Sequence, residues 1–140
     1  MARSITVGLD GSPESRAAAE WAAREAALRE RPVRLLHVWQ PVPEPMAEAP
    51  PLGTETHQHW TERIPREAAQ GLILRHPGVE VTTEQRTGVP AEVLLDASRD
   101  ASLVVVGRRL RRSPFGARIG AVAHAVMHHA VAPVAVVAHD

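Results

Sequence analysis

Residues 104–120, VVVGRRLRRSPFGARIG, place four arginines within five positions. Arg108, Arg109, Arg111 and Arg112 follow an apolar run and Gly107, and a second glycine, Gly120, comes before the next helical pattern. Planar guanidinium groups clamp phosphate or carboxylate oxygens through paired N–H bonds. The free amides and positive dipole end at the start of a helix favour the same anions. A basic run in isolation reads more simply as solvated charge pairing with nearby acids. What shifts the reading toward a phosphate-holding loop is its place directly after an apolar strand. A second loop, GLDGS at residues 8–12, sets Asp10 at the end of another strand, with Gly11 and Ser12 beside it.

The elements that must position these loops alternate along the chain. RSITVGL (3–9) alternates Ile5, Val7 and Leu9 and stops at a turn, which predicts a strand. Ser12-Pro13 supplies an N-cap and a first helical residue, and a helix is expected to about Arg31. Ser15, Ala18, Ala19, Ala22 and Ala26 share one face of it, a stripe small enough for close approach to a sheet, with Trp21 and Leu28 as a flanking ridge. VRLLHVW (33–39) predicts a strand buried on both faces. Residues 40–59 are proline-rich without a sustained period and predict a loop, able to serve as a lid, that holds His57 and His59. A helix is expected from Trp60 to about His76, a strand over 79–85, and a short helix after Gly88-Val89-Pro90 that carries Val93, Leu94, Leu95 and Ala97. SLVVVG (102–107) reads as a central strand, and a helix within 117–130 and an edge strand over 133–139 close the pattern. The fold class that follows is α/β: one domain, residues 1–140, with a five-stranded, mainly parallel, doubly wound sheet in three α/β/α layers. In such a sheet ligands gather outside the carboxyl ends of strands where crossovers diverge, which selects the loops after the first and fourth strands.

Composition narrows the chemistry. The formal net charge is zero, so no global field recruits nucleic acid or an anionic membrane, and anion binding must be local. All 16 basic residues are arginine, which excludes a lysine phosphate ligand or Schiff base. There is no cysteine, hence no disulfide or thiolate metal site. The first residues lack the apolar core of a signal peptide and no run approaches the ~18 apolar residues that span a bilayer, so a cytoplasmic location is expected. His124 and His128 stand four apart, but Ile119, Val122, Val126 and Met127 define the expected buried face and place the pair toward solvent. His37 reads as a satisfied, partly buried side chain.

GLDGSPES, LLHVW, Gly88-Val89-Pro90, the VVVG strand and the end AVMHHAVAPVAVVAHD, in this order and spacing, resemble the universal stress protein family over nearly the whole chain. The resemblance implies a five-stranded parallel sheet, a homodimer, and in one branch an ATP site marked by glycine, two residues, glycine, nine residues, then glycine with serine or threonine. Gly107 and Gly120 occupy the first and last glycine places, while Leu110 stands at the second and Ala121 at the hydroxyl place. If the second place needs a positive φ, leucine costs on the order of 1–2 kcal/mol there. Alanine forfeits a hydroxyl hydrogen bond of about 1 kcal/mol, leaving a backbone amide. Arg108, Arg109 and the neighbouring arginines can compensate, and Ser113 can replace the hydroxyl. Carried over by position, Asp10 and the Val38 backbone approach the adenosine portion, with Gly11 and Ser12 in the same loop, while Gly107 and Gly120 approach the phosphates and Mg2+ accompanies ATP. The alternative for Asp10 is a turn residue bonding the amides that follow it.

The function this implies is adenine nucleotide binding in a regulatory or protective stress protein that acts on a further protein partner. The alternative is a nucleotide-independent homodimeric interaction module of the same fold with a degenerate ATP site. No nucleophile elbow, Walker lysine, zinc signature or compact acid pair assigns a general base, so slow ATP hydrolysis is the most enzymatic activity expected. The apolar edge strand 133–139 is expected to pair with its copy in a homodimer.

Overall fold

The structure, a computed structural model, describes residues 3–39, 57–109 and 121–139. The elements run β1 (Ser4–Leu9), α1 (Pro13–Arg29), β2 (Val33–Trp39), α2 (His57–Arg75), β3 (Val81–Thr87), α3 (Pro90–Ala97), a 3-10 turn (Ser98–Asp100), β4 (Ala101–Arg109), α4 (Ala121–His129) and β5 (Val134–His139). The strands form one sheet in the order β3-β2-β1-β4-β5 with every pairing parallel. β4 is therefore an inner strand and β5 an edge, as the hydrophobic pattern predicts.

The two-residue period of the strands divides the core between the two faces of the sheet. Ile5, Val7, Val33, Leu35, Leu103 and Val105 meet α1 and α2 on one face, and Leu36, Val104 and Val106 meet α3 and α4 on the other. Each such side chain, fully buried, contributes about 1.5–3 kcal/mol. α1 packs through Ser15, Ala18, Ala19, Ala22, Ala23 and Ala26, all buried. The alanine stripe thus brings the helix close to the sheet rather than filling a gap with bulk. Trp21 packs against this core, but Leu28 is 80% exposed and forms no ridge with it. Among the described residues no helix is long and apolar enough to cross a membrane.

Several boundaries differ from the pattern. α1 ends at Arg29, closed by Glu30 in the left-handed region (φ 55°). α2 begins at His57, so His57 and His59 belong to a helix and not to the preceding loop, and the helix continues through the buried Pro65. β3 starts two residues late because the Val79 amide donates to the His76 carbonyl (3.0 Å) in the turn ahead of the strand. β4 runs two residues past Gly107, because β5 still offers partners there: Arg108 pairs with Ala138 and Arg109 with His139. On α4 the buried residues are Ala123 and Val126, whereas Met127 is 46% exposed and so is no part of the buried face. Ile119 lies outside the described residues.

Two ionic ties fix the helices. Glu20 of α1 binds both Arg75 and His76 at the end of α2, the latter at 2.7 Å. Burial pushes the Glu20 carboxyl up, but these two partners outweigh it and hold the group below the usual glutamate range. On the opposite face Arg34, with its side chain 16% exposed, donates to Thr6 Oγ1 (3.1 Å), the Ala97 carbonyl (3.2 Å) and Asp100 (3.0 Å), linking β1, β2 and the end of α3.

Candidate functional site

β1 sends its crossover toward β2 over one face, and β4 sends its own toward β5 over the other, so the two loops part at the carboxyl ends of β1 and β4, the position at which open α/β sheets hold a ligand crevice. The β1 side is a closed set of hydrogen bonds. Asp10 Oδ1 accepts from the Ser12 amide (2.9 Å), and Ser12 Oγ caps α1 by accepting from the Ser15 amide (3.1 Å). Ser15 Oγ donates to the Ser12 carbonyl (2.9 Å) and accepts from the Asp10 amide (3.4 Å). Gly11 holds φ 86°, and a β-carbon there would come within 3.1 Å of Ile64 Cδ1 on α2. The loop needs glycine for both reasons. Partial withdrawal from solvent raises the Asp10 carboxyl, but the bonds from the Ser12 side chain and backbone and from Ser15 outweigh it and lower the pKa below the ordinary aspartate value. Asp10 is thus a charged turn residue at the mouth of the crevice.

The β4 side is built differently. A β-carbon on Gly107 would lie 2.3 Å from the Glu14 carbonyl oxygen and 2.9 Å from the Ser15 amide nitrogen. Gly107 therefore lets the first turn of α1 rest directly on β4, and it carries the position of the α1 cap relative to the crevice. Strand alternation then sends Arg108 to the same face as Val104 and Val106, under α3 and α4, and Arg109 to the α1 face. Arg109 is exposed, whereas Arg108 is half-buried. The Arg108 Nε is buried and has no hydrogen-bond partner among the described residues. A buried guanidinium N–H without a partner costs free energy until an acceptor arrives.

Val38 is partly buried against the α3/α4 core, one residue past the last β1–β2 pairing, Leu9 with His37. It stands near the carboxyl end of β2. Ala121 is the first described residue of α4, whose amino-terminal end lies toward this end of the sheet. Leu110, Arg111, Arg112, Ser113, Arg118 and Gly120 lie outside the described residues. Asp10, Gly11, Ser12, Gly107 and Arg108 are thus brought to the two walls of one crevice, and the 40–59 segment is described only from His57 onward. Sequence reasoning missed the Ser15 hydroxyl, which ties Asp10 to the helix cap; its signal is a second serine three residues after the first. It also read Arg108 and Arg109 as loop residues, where alternation from Val104 assigns each a face. His37 is buried, and His124 and His128 are exposed as the spacing predicts. A groove of about 510 Å3 lies between α1 and α2 and is lined by Gly11 of the β1 loop and Pro13 at the start of α1, together with Arg16, Ile64, Arg75 and His139.

The model of the universal stress protein family matches residues 1–138. The chain belongs to the universal stress protein family. A universal stress protein of Mycolicibacterium smegmatis is 38% identical over 142 residues, which cover 97% of this chain and 48% of that protein. The chain spans a little under half the length of the curated relatives it matches. Among solved structures, a universal stress protein in complex with cAMP superposes with a TM-score of 0.74 at 22% identity over 100% of both chains. That of Archaeoglobus fulgidus in complex with dAMP gives 0.67 at 23% identity, covering 96% of each chain. These likenesses establish the five-stranded parallel family fold with helices on both faces.

Proposed function

We propose that this universal stress protein domain, residues 1–140 acting as one unit, binds an adenine nucleotide across the ends of β1 and β4 and acts through its occupancy in a stress response. The observation that carries the reading is the buried Nε of Arg108, without a hydrogen-bond partner among the described residues, at the carboxyl end of β4. A phosphate oxygen would satisfy it with a charge-assisted hydrogen bond of about 1.5–3 kcal/mol. The complexes of family relatives with cAMP and dAMP support the ligand class. In this reading Asp10, already charged and fixed by Ser12 and Ser15, faces the ribose, and the Val38 backbone borders the base. Gly107, Arg108 and Arg109 lie toward the phosphates with Gly120 and the Ala121 amide. ATP is the intended nucleotide, Mg2+ reaching the site with the triphosphate. The role is regulatory or protective, exerted on a further protein, with turnover at most slow. The free edge of β5, whose valines are only partly buried, pairs with a second copy.

The second reading, a nucleotide-independent homodimeric module, draws on the β1 loop, whose donors and acceptors are engaged with one another. Native mass spectrometry of the protein purified from cells separates the two. The first predicts a dimer carrying an adenine nucleotide. A dimer that carries none, and whose melting temperature does not rise with ATP, would leave the second. A monomer mass at micromolar concentration would contradict the β5 pairing in both.

A further inference from the structure

α4 carries on its outer surface a set of side chains for which nucleotide binding has no use. His124, Met127 and His128 stand at i, i+3 and i+4 and so share one stripe of the helix, while Ala123 and Val126 hold the inner stripe against the sheet. Both histidines are exposed, and Met127 is 46% exposed. The two imidazoles lie against each other, with ring centres 4.4 Å apart and planes tilted by 48°. Neither has a carboxylate partner among the described residues; the ionic contact of a histidine there is that of His76.

Rings this close lie within reach of one shared metal ion. A metal about 2.0–2.1 Å from a ring nitrogen lies about 3.2 Å from the ring centre, so two rings bound at the tetrahedral angle have centres about 5.2 Å apart. Rotation of the two exposed side chains opens the observed 4.4 Å to this value, and the i, i+4 backbone spacing can stay as it is. Position on the helix adds to it: α4 ends at His129, so the pair spans its last turns, where the negative end of the dipole favours a cation. Imidazole suits zinc, nickel and copper, and the divalent order places Cu2+ above Zn2+. Met127, on the same stripe of the helix, offers a soft thioether donor, which zinc does not need and Cu(I) prefers.

We propose that His124, His128 and Met127 form a copper site on the outer face of α4. The test uses the full chain without a histidine tag, titrated with Cu(I) against a chromophoric Cu(I) chelator and separately with Zn2+ by calorimetry. The expected result is one equivalent of tightly held Cu(I). His124→Ala and His128→Ala each weaken it about tenfold or more, and Met127→Leu weakens Cu(I) about tenfold while leaving Zn2+ affinity unchanged. His129→Ala is the control, because its ring centre is 6.4 Å from that of His128 and it belongs to a different stripe; binding should survive it. All four positions are exposed, and circular dichroism checks that each variant folds. Cu(I) affinity unchanged in the His124→Ala, His128→Ala double variant would overturn the site. Equal loss in His129→Ala would overturn its geometry, and unchanged Cu(I) affinity in Met127→Leu would remove the thioether from the ligand set.

Discussion

The two strand ends that face the crevice use polar groups in opposite ways. At the end of β1, Asp10, Ser12 and Ser15 satisfy one another and the first turn of α1, so the loop is rigid before any ligand arrives. At the end of β4, Gly107 lies under that same helix turn, and next to it Arg108 has a buried N–H with no partner among the described residues. One wall is finished by its own hydrogen bonds, the other is left incomplete at a cationic group. A ligand that completes the second wall while resting on the first would be anionic at one end and would present hydroxyls at the other.

The comparison is broken most severely at Gly107. Gly107→Ala forces its methyl group onto the Glu14 carbonyl and must lift α1 off β4, and we expect a loss of about 3 kcal/mol in urea unfolding. Arg108→Ala removes the unsatisfied group instead. It should leave stability unchanged or slightly raised while weakening adenine nucleotide binding by about 10- to 100-fold, a dissociation of the two effects that no purely structural arginine would show. Ser12→Ala takes the cap from α1 and should cost about 1 kcal/mol, read in the same denaturation experiment.

The smallest effect concerns Asp10. Its pKa is lowered in the folded protein, so its contribution to stability is present above the ordinary aspartate value of 3.8 and is lost as pH falls below that value through the folded pKa. Asp10→Asn should flatten the decline in melting temperature below about pH 4 relative to the unchanged chain, and an identical acid profile would show that the turn does not depend on the charge.

What the sequence makes legible follows from period and punctuation. The alternation in β1, the apolar run of β4 and the Ser12-Pro13 start of α1 are local signals, and the parallel order follows from the helices between strands. Register is not local. β4 extends through Arg109 because β5 still lies beside it, and only the pairing of Arg108 with Ala138 shows that these arginines belong to a strand with two faces. Arg34 was hidden for the same reason: one charge inside VRLLHVW acquires its meaning from Thr6, Ala97 and Asp100, brought to it from far along the chain. The stripe of α4 was misread because Met127 fits an apolar periodicity, while burial was decided by the smaller Ala123 and by Val126.

Calorimetric titration of the protein with ATP and Mg2+, beside the Arg108→Ala variant, tests the account at its centre. The account predicts saturable binding tighter than about 1 mM that the variant loses by at least tenfold. Binding weaker than that in the unchanged protein, or of equal strength in the two, would contradict it.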